Sequence, residues 1–481
     1  MSILTSGWKT IHRSFSMKKE KLRIEKDSLG TMLVPAEAYY GVETVRALEN
    51  FPVSGERFHP DFIWALAVIK KACAEANLSL GRLDRKRAKA IIRAAEEVMS
   101  GEMREEFVTD TLQSGAGVSA HMNMNEVIAN RALEILGEKR GDHKALYSHD
   151  HVNMGQSTND VIPTALRLAV LRIARDFSHS STLLESELSK KAKAFSRIVK
   201  AGRTHLQDAA PVMLGQEFGG WAHQLKKGRL RIESMVRGLL ELGIGGSAVG
   251  TGLNTSLRYR ARVIANLKRI TGFSLKSSPN LFSVMQNDAD FAAVSGVLRD
   301  YSLSLIQISN DLRLMSSGPH TGFGEIRLPA LQPGSSIMPG KINPVMPELA
   351  VQVGFQVIGN DVAVAFAGAS GECELSVMRC VIIRNLMHSF EILKNSIRLL
   401  AEKCIRGITA DKEKCHEYAE KSFGIAAALN PYIGYAKAAE CVKEAMRTGR
   451  TLRQVVIAKG FMTEKEISKV LSPENLTRPP K

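Results

Sequence analysis

The sequence predicts an all-α protein built around a bundle of long helices. It is rich in Ala, Leu, Val, Ile and Met, whereas only 6% of its residues are aromatic, and this composition favours packed helices over sheets. Several stretches carry apolar residues at helical spacing over lengths far beyond an ordinary surface helix. Short loops rich in Gly, Ser, Thr and Asn separate these stretches. Together the three observations indicate a helical frame whose polar loops carry the chemistry.

The charge balance and the cysteines narrow the class of protein further. The 481 residues include 65 Lys and Arg against 49 Asp and Glu, a formal net charge of +16. The basic residues are scattered among acids and no nucleic-acid-binding motif occurs, so a field that attracts a small dicarboxylate is the better interpretation. The six cysteines form no Cys-x-x-Cys pair, which indicates buried thiols in a reducing compartment. We therefore expect a cytoplasmic protein that binds neither nucleic acid nor a membrane.

Residues 1–21 form an extension ahead of the predicted domains. Residues 1–19 carry Lys, Arg and several serines but no acid, and they lack the continuous apolar core of a secretory signal. Two interpretations stay open. The stretch is either a mitochondrial presequence or an accidental extension ahead of a true start at Met17.

The first predicted domain, residues 22–154, opens with a polar and irregular segment over 20–58. Helical spacing of apolar residues then predicts two helices, over 62–76 and 85–99. A Gly-rich turn at 113–119 leads into a further helix around 122–130. Such a turn presents free backbone N–H groups to an anion, although it also serves simply to join two elements.

The second predicted domain, residues 155–410, holds the longest helices. The loop 156–160 supplies cap residues for the first of them, which runs to about residue 198. The loop 203–208 separates this helix from a second, which runs to about residue 242. Further long helices are predicted over 291–315, 349–370 and 382–408. A third domain, residues 411–481, consists of short helices.

The helix 349–370 is almost wholly apolar, so its composition alone would also fit a membrane span. Gln352, Gln356 and Asn360 recur every four residues, however, and a polar stripe suits burial among other helices. A helix that is apolar nearly all round needs neighbours on every side. This requirement predicts an oligomer.

Three runs superficially resemble motifs for a cofactor, a metal or a phosphate, but each lacks the spacing or the context that its motif requires. The Gly-rich run 243–248 follows a helical segment without a βαβ pattern, so it is no dinucleotide fingerprint. The His-Asp-His run 149–151 lies in a polar loop, where such residues are more often solvated than metal-bound. The stretch 334–341 has five rather than four residues between its glycines, which breaks the Walker pattern. The sequence therefore predicts no cofactor and no resident metal.

Four polar loops form the candidate site: 113–119, 156–160, 203–208 and 334–343. They offer hydroxyls and amides for carboxylate oxygens, with one histidine and one lysine. Loops at the ends of bundle helices can meet at one place even when they are far apart in sequence. The glycines and prolines of the loop 334–343 suit either a lid over a small anion or a plain surface linker.

The stretch 334–344 reads GSSIMPGKINP and resembles the signature of the aspartase/fumarase superfamily. The other three loops resemble the remaining motif blocks of that family, in the same order, and the resemblance extends from about residue 22 to residue 479. Segments 35–42 and 344–348 are most similar to the aspartate ammonia-lyase branch. The resemblance implies a three-domain, all-α fold and a homotetramer whose long helices form one bundle. Each active site would take loops from three subunits.

The resemblance also implies a reaction, the reversible elimination of ammonia from L-aspartate to give fumarate through an aci-carboxylate intermediate. No cofactor would be required, although a divalent cation could activate the enzyme. Ser335 would be the base, and Glu348 would orient His205. The other implied ligands each contact one group of the substrate: Lys341 and Asn343 the α-carboxylate, Ser157, Thr158 and Ser336 the β-carboxylate, and Thr204 and Asn159, with His205, the amino group.

Two segments depart from the family pattern. Val118 stands where a threonine usually contacts the β-carboxylate, and His121 replaces a usual asparagine. Loss of one hydroxyl donor to a bound anion costs about 1.5–3 kcal/mol unless another group, such as Ser119, replaces it. The segment 376–380 also differs from the family. These departures weaken the assignment of the substrate more than the assignment of the reaction type.

Two alternatives stay open beside the ammonia-lyase interpretation. The first is a fumarate hydratase, which would use the same base and the same carboxylate ligands on L-malate. The second is a non-catalytic structural protein derived from a lyase. The presence of Ser335, Lys341 and His205 argues against that second alternative.

Overall fold

The protein is described by a computed structural model over residues 21–478. The predicted N-terminal extension, with its presequence and Met17 interpretations, lies outside the described residues except for Lys21. Helices dominate the described chain, which confirms the all-α prediction. They are α1 Val42–Asn50, α2 Pro60–Ser79, α3 Arg85–Ser100, α4 Val118–Ile135, α5 Thr158–Ala194, α6 Leu214–Val236, α7 Leu257–Thr271, α8 Leu281–Gln286, α9 Ala289–Met315, α10 Val345–Gly368, α11 Arg379–Lys403, α12 Lys412–Lys421, α13 Asn430–Ile433, α14 Tyr435–Thr448, α15 Leu452–Ala458, α16 Glu464–Val470 and α17 Pro473–Leu476.

The strands are short and pair only two at a time within residues 21–478. They are β1 Leu22–Asp27, β2 Gly30–Pro35, β3 Val199–Thr204, β4 Gln207–Met213, β5 Glu241–Leu242, β6 Lys276–Ser277, β7 Ile326–Arg327, β8 Gly371–Glu372, β9 Leu375–Ser376 and β10 Thr409–Ala410. The pairs β1–β2, β3–β4, β7–β10 and β8–β9 are antiparallel, and β5–β6 is parallel.

The prediction of an irregular segment over 20–58 was wrong. β1 and β2 form a regular hairpin in which Leu22 lies opposite Pro35 and Asp27 lies opposite Gly30, and α1 follows. Gly30 at the turn has φ +127°, a conformation that favours glycine. β1 alternates apolar and polar residues only from Leu22 to Glu25, and β2 carries three apolar residues in succession, Met32 to Val34, so neither strand gives a period-2 signal that stands out from a loop.

The chain divides into two compact units, each assembled from three stretches. Of the described residues, the first unit comprises those up to Leu168, Glu241–Gln286 and Gly371–Val381; the second comprises Ala169–Leu240, Asn287–Ser370 and those from Ile382 onward. Within the second unit, the short C-terminal helices share a hydrophobic cluster that extends from Ile425 to Leu471. This cluster supports a C-terminal helical module, whereas the predicted boundaries at 154/155 and 410/411 stay predictions.

In the first unit α2 packs against α3 and α7, and α4 packs against α3. The turn before α4 needs its glycines. Gly117 has φ +84°, and a Cβ at Gly115 would lie 2.2 Å from the carbonyl oxygen of Val377. The first Gly-rich loop therefore packs tightly against the segment 376–380. This loop leads into Val118, so the two segments that depart from the family pattern are neighbours.

In the second unit α10 packs along α9, and α6 packs on α9 as well. Of the polar stripe of α10, Asn360 is buried inside this unit, where its amide donates to Ser389 Oγ at 3.0 Å, whereas Gln352 and Gln356 are exposed, so the predicted burial holds for one of the three. Asp361, beside Asn360, accepts from Arg299 at 3.0 Å. Within residues 21–478, α10 also has the length and mean hydropathy of a membrane span, a test that core helices of soluble proteins pass too. Its other face leaves Phe355 and Phe366 exposed, the latter by 76%.

Candidate active site

The loop 334–343 closes on itself at its base. Gly334 N–H donates to the Lys341 carbonyl at 2.7 Å, and Asn343 Nδ2 donates to the Gly334 carbonyl at 2.8 Å. A Cβ at position 334 would lie 2.6 Å from that Lys341 oxygen, so the closure requires glycine. The loop lines a cavity of about 390 Å³ that includes Ser335 and Lys341. One short loop thus carries four of the predicted site residues, Ser335, Ser336, Lys341 and Asn343.

The hydroxyl oxygen of Ser335 accepts two backbone hydrogen bonds, from Ile337 N–H at 3.2 Å and from Met338 N–H at 3.0 Å. Two donors on one oxygen favour its ionised form, as they do for the oxyanion of an acyl intermediate. A serine hydroxyl becomes a useful base only when its ionised form is stabilised in this way. The loop therefore provides the two donors that the proposed role of Ser335 as a base requires.

The remaining predicted residues of this region are accessible. Ser336 and Lys341 are exposed, Asn343 is half-buried, and Glu348 lies in the first turn of α10. Asn343 uses one amide hydrogen on Gly334, so its second amide hydrogen stays available to a ligand.

Thr204 and His205 lie at the tip of the β3–β4 hairpin, where both side chains are exposed. His205 has φ +54° and Leu206 has φ +60°, both in the left-handed region, which costs free energy for residues other than glycine. The base of the hairpin is held firmly, because Arg203 donates to Glu325 Oε1 at 2.8 Å and Lys200 lies 3.3 Å from Glu325 Oε2. The buried ion cluster thus fixes a strained tip that presents His205.

The implied pair between His205 and Glu348 does not form within one chain. Within residues 21–478 neither side chain makes a hydrogen bond or an ion pair, although both residues belong to the second unit. The pairing stays a prediction that a neighbouring subunit would have to complete.

The first unit carries the other predicted residues at the start of α5. Ser157 caps this helix: its hydroxyl accepts from Asn159 N–H at 3.2 Å, and its own N–H donates to Asp160 Oδ1 at 3.0 Å. Asn159 Nδ2 donates to the carbonyl of Ala248 at 2.7 Å, and Thr158 Oγ1 lies 2.8 Å from His121 Nδ1. Ser157, Thr158 and Asn159 are therefore each held by a specific neighbour, and all three remain half-exposed.

The Gly-rich run 243–248 has a role that the sequence did not indicate. Gly245 N–H and Ser247 N–H donate to Asp160 Oδ2 at 3.0 and 2.9 Å. Burial raises the pKa of the Asp160 carboxyl to about 6, although these backbone donors oppose the shift. The run that resembled a dinucleotide fingerprint thus anchors the first turn of α5.

Ser119 and Val118 occupy the first turn of α4, and Val118 is 43% exposed. Successive residues of a helix are turned by about 100°, so Val118 and His121 share a face while Ser119 points away from it. Ser119 lines a different cavity, of about 410 Å³, together with Glu43, Tyr147 and His149. This placement gives no support to Ser119 as the donor that replaces the missing threonine, and its role stays a prediction.

Sequence reasoning missed two buried cations in the first unit, Lys70 and Arg379. Lys70 lies on α2 and contacts His121 through Nε2 at 2.6 Å. Arg379, fully buried, donates to the carbonyls of Met285 and Asn159. The only signal for Lys70 was a lysine at an apolar position of a helix, which is rare unless the charge is paired. Arg379 lies in the segment that departs from the family.

No group of three or more His, Cys, Asp or Glu in the part of the chain that the structure describes is arranged to hold a metal. The histidines of the run 149–151 face different partners. His149 Nε2 contacts Glu43 Oε1 at 2.5 Å, whereas His151 Nδ1 accepts from Tyr147 N–H at 2.9 Å.

Comparison with known proteins places this geometry in a family. The profile of the family described as Lyase matches residues 30–359, and that described as Fumarase C C-terminus matches residues 425–478. An aspartate ammonia-lyase of Bacillus sp. is 45% identical over 458 residues, which covers 95% of this chain and 98% of that relative. A class II fumarate hydratase of Halobacterium salinarum is 48% identical over 459 residues, covering 95% of this chain and 97% of that relative.

The structural comparison agrees. The solved structure of a fumarate lyase:delta crystallin from Brucella melitensis bound to cobalt matches with a TM-score of 0.93 and 44% identity, covering 95% of this chain and all of that one. The chain belongs to the aspartase/fumarase superfamily of lyases.

Proposed function

We propose that this chain catalyses the reversible deamination of L-aspartate to fumarate and ammonia. The observation that carries the proposal is the Ser335 hydroxyl oxygen, which two backbone N–H groups hold on the same loop as Lys341. The relatives named aspartate ammonia-lyase, at 43–45% identity over nearly the whole chain, support L-aspartate as the substrate.

The difficult step is the removal of a proton from the carbon beside the β-carboxylate. This proton is barely acidic, and the aci-carboxylate that results concentrates negative charge on two oxygens. The ionised Ser335 accepts the proton, and fixed donors stabilise the intermediate, which is the term that usually dominates such catalysis. Ser157, Thr158 and Ser336 are proposed to donate to the β-carboxylate. The electron pair of the aci-carboxylate then forms the carbon–carbon double bond as the bond to the protonated amino group breaks, and nitrogen leaves as neutral ammonia. Ser335 afterwards loses its proton to solvent.

The other end of the substrate needs separate contacts. Lys341 and the free amide hydrogen of Asn343 are proposed to hold the α-carboxylate, because a cation and a donor fix its orientation relative to Ser335. Thr204, Asn159 and His205 are proposed to surround the amino group. These contacts use only side chains of the protein, and the reaction requires no cofactor, with a divalent cation as an optional activator.

We propose that the active enzyme is a cytoplasmic homotetramer in which three subunits contribute to each active site. The exposed apolar face of α10, which includes Phe355, Val362 and Phe366, supports burial against other copies of this helix. Among the described residues neither His205 nor Glu348 has a side-chain partner, which supports a shared site. In this arrangement α10 lies in the core of a soluble assembly and spans no membrane, and the positive net charge attracts dicarboxylates rather than nucleic acid.

Fumarate hydratase is the second candidate. The 48% identity to a class II fumarate hydratase favours it. Val118 removes a donor to the β-carboxylate that family members usually have, and both substrates carry that carboxylate. Hydration would use the same base and the same carboxylate ligands.

A direct assay decides between the two. Purified protein is expected to form fumarate, followed by its ultraviolet absorbance, from L-aspartate and to show at most a trace of activity on L-malate. The matched control is the Ser335→Ala variant, purified and assayed in the same way. Its residual activity gives the contribution of contaminating enzymes, which is subtracted. Activity on L-malate alone would overturn the ammonia-lyase assignment.

The Lys341→Met variant tests the α-carboxylate contact. We expect KM for L-aspartate to rise roughly tenfold to a hundredfold, since a hydrogen bond to a charged group is worth about 1.5–3 kcal/mol. Lys341→Arg keeps the charge and serves as the matched control, with a smaller rise in KM. An unchanged KM in the methionine variant, with folding verified by circular dichroism, would remove Lys341 from the binding site.

A further inference from the structure

Lys70 lies at the centre of a buried polar network in the first unit and is fully enclosed. Its ammonium group has three N–H donors, and three acceptors surround it: His121 Nε2 at 2.6 Å, Gln156 Oε1 at 2.8 Å and Asn153 Oδ1 at 3.2 Å. The number of acceptors matches the number of donors. Burial lowers the pKa of Lys70 to about 7, and the charge of Asp160 opposes part of that shift.

The two amide side chains confirm the direction of these bonds. Gln156 Nε2 donates to the carbonyl of Val152 at 3.0 Å, and Asn153 Nδ2 donates to the carbonyl of Gln156 at 3.3 Å. Because the NH₂ groups are committed to carbonyls, the amide oxygens must face Lys70 as acceptors. The third N–H of the ammonium therefore points at His121.

The N–H that Lys70 donates to Nε2 determines which ring nitrogen of His121 is protonated. Burial, together with the charge of Lys70, holds the pKa of His121 well below its usual range, so the imidazole is neutral and has one N–H. Nε2 accepts from Lys70, and the proton must lie on Nδ1. Nδ1–H then donates to Thr158 Oγ1 at 2.8 Å, which occupies that oxygen as an acceptor and leaves the hydroxyl hydrogen free to turn outward.

We propose that His121, held in one tautomer by Lys70, is a positioning residue that turns the Thr158 hydroxyl into an obligatory donor to the substrate carboxylate. In this proposal the relay offsets the hydroxyl that Val118 does not provide, and His121 acts from a position one helical turn beyond Val118 on α4. The inference rests on the proposed role of Thr158 as a carboxylate ligand. It applies to any dicarboxylate substrate, whether the leaving group is ammonia or water.

A double-mutant cycle with succinate tests the relay. Succinate is a dicarboxylate without a leaving group, and its binding to the full-length oligomer is measured by calorimetry at about pH 6, where Lys70 holds its proton. We expect His121→Ala to weaken binding roughly tenfold or more. In a Thr158→Val background the same substitution should change the affinity less than about twofold, because the hydroxyl that His121 orients is gone.

Three further variants separate positioning from folding. Asn123→Ala is the matched control, since it removes another buried hydrogen bond of α4, the one to the Glu106 carbonyl at 2.9 Å, and should leave succinate affinity unchanged. His121→Asn keeps a donor and an acceptor and should retain most of the affinity. Adding Val118→Thr to His121→Ala should restore binding by supplying a second hydroxyl.

The outcomes are distinct from those of the activity assay. Additive losses in the cycle, or equal losses in His121→Ala and Asn123→Ala, would overturn the relay. Should His121→Ala fail to fold, a tenfold loss in the well-folded His121→Asn variant would overturn it as well. A protein that acts on L-malate instead of L-aspartate would overturn the proposed function and leave the succinate cycle fully interpretable.

Discussion

Ser335→Ala is expected to lower kcat for fumarate formation by roughly 10³–10⁴-fold, because the substitution removes both the base and the oxygen that two N–H groups stabilise. KM should change little, since Ser335 contacts the substrate mainly through the proton that it removes. The measurement is steady-state kinetics on L-aspartate, with the oligomeric state followed by light scattering. Ser335 is half-exposed on a loop, so we expect the oligomer to stay intact.

The neighbouring hydroxyl provides the matched control. Ser336→Ala removes a proposed β-carboxylate ligand on the same loop, and we expect a fall in kcat/KM of only about tenfold to a hundredfold. Near-normal turnover by the Ser335 variant would remove Ser335 as the base. Equal losses in the two variants would point to loop distortion instead of lost chemistry.

Glu325→Ala is expected to lower the free energy of unfolding by about 3–5 kcal/mol, because it leaves Arg203 without its carboxylate partner and leaves the buried Lys200 with Glu217 alone. Glu325 is fully buried, as is nearly all of Lys200, and the carboxylate bridges Lys200 and Arg203 at the base of the β3–β4 hairpin. The change is measured by urea unfolding at fixed protein concentration. Because the hairpin tip carries His205, we also expect a loss of activity under conditions where the variant is still folded.

An exposed ion pair provides the control for this prediction. Glu402→Ala breaks a pair with Arg398 on the surface of α11, and such pairs contribute about 0–1 kcal/mol. A second variant, Glu325→Ala with Lys200→Met, should recover part of the lost stability by removing the unpaired charge. A Glu325→Ala protein as stable as the Glu402→Ala protein would show that Glu217 and water satisfy Lys200 on their own.

The helices were predictable because their signal is repeated many times along one element. The predicted segment 291–315 agrees with α9 to within two residues, since apolar positions recur along its whole length. Residues 22–35 gave no comparable signal, because each strand is six residues long and draws its stability from pairing with the other. Short paired strands depend on contacts between residues that the local pattern does not connect.

The candidate site was predictable only in part, for a related physical reason. Ser335 and Lys341 lie within one loop, so the sequence of that loop alone predicts that they are close together. Lys70, His121 and Thr158 come from three different helices, and nothing in the local sequence of any one of them indicates the other two. The contact of the run 243–248 with Asp160 could not be predicted either, because it joins residues from distant parts of the sequence.

Because α10 has an exposed apolar face, the stability of the protein is expected to depend on its concentration. In the proposed tetramer, Phe355, Val362 and Phe366 leave water only when other copies are present. Association then contributes to folding by mass action, so the unfolding midpoint rises with total protein concentration. A newly made chain at low abundance would be the least stable form of this enzyme, and each additional copy would protect those already assembled.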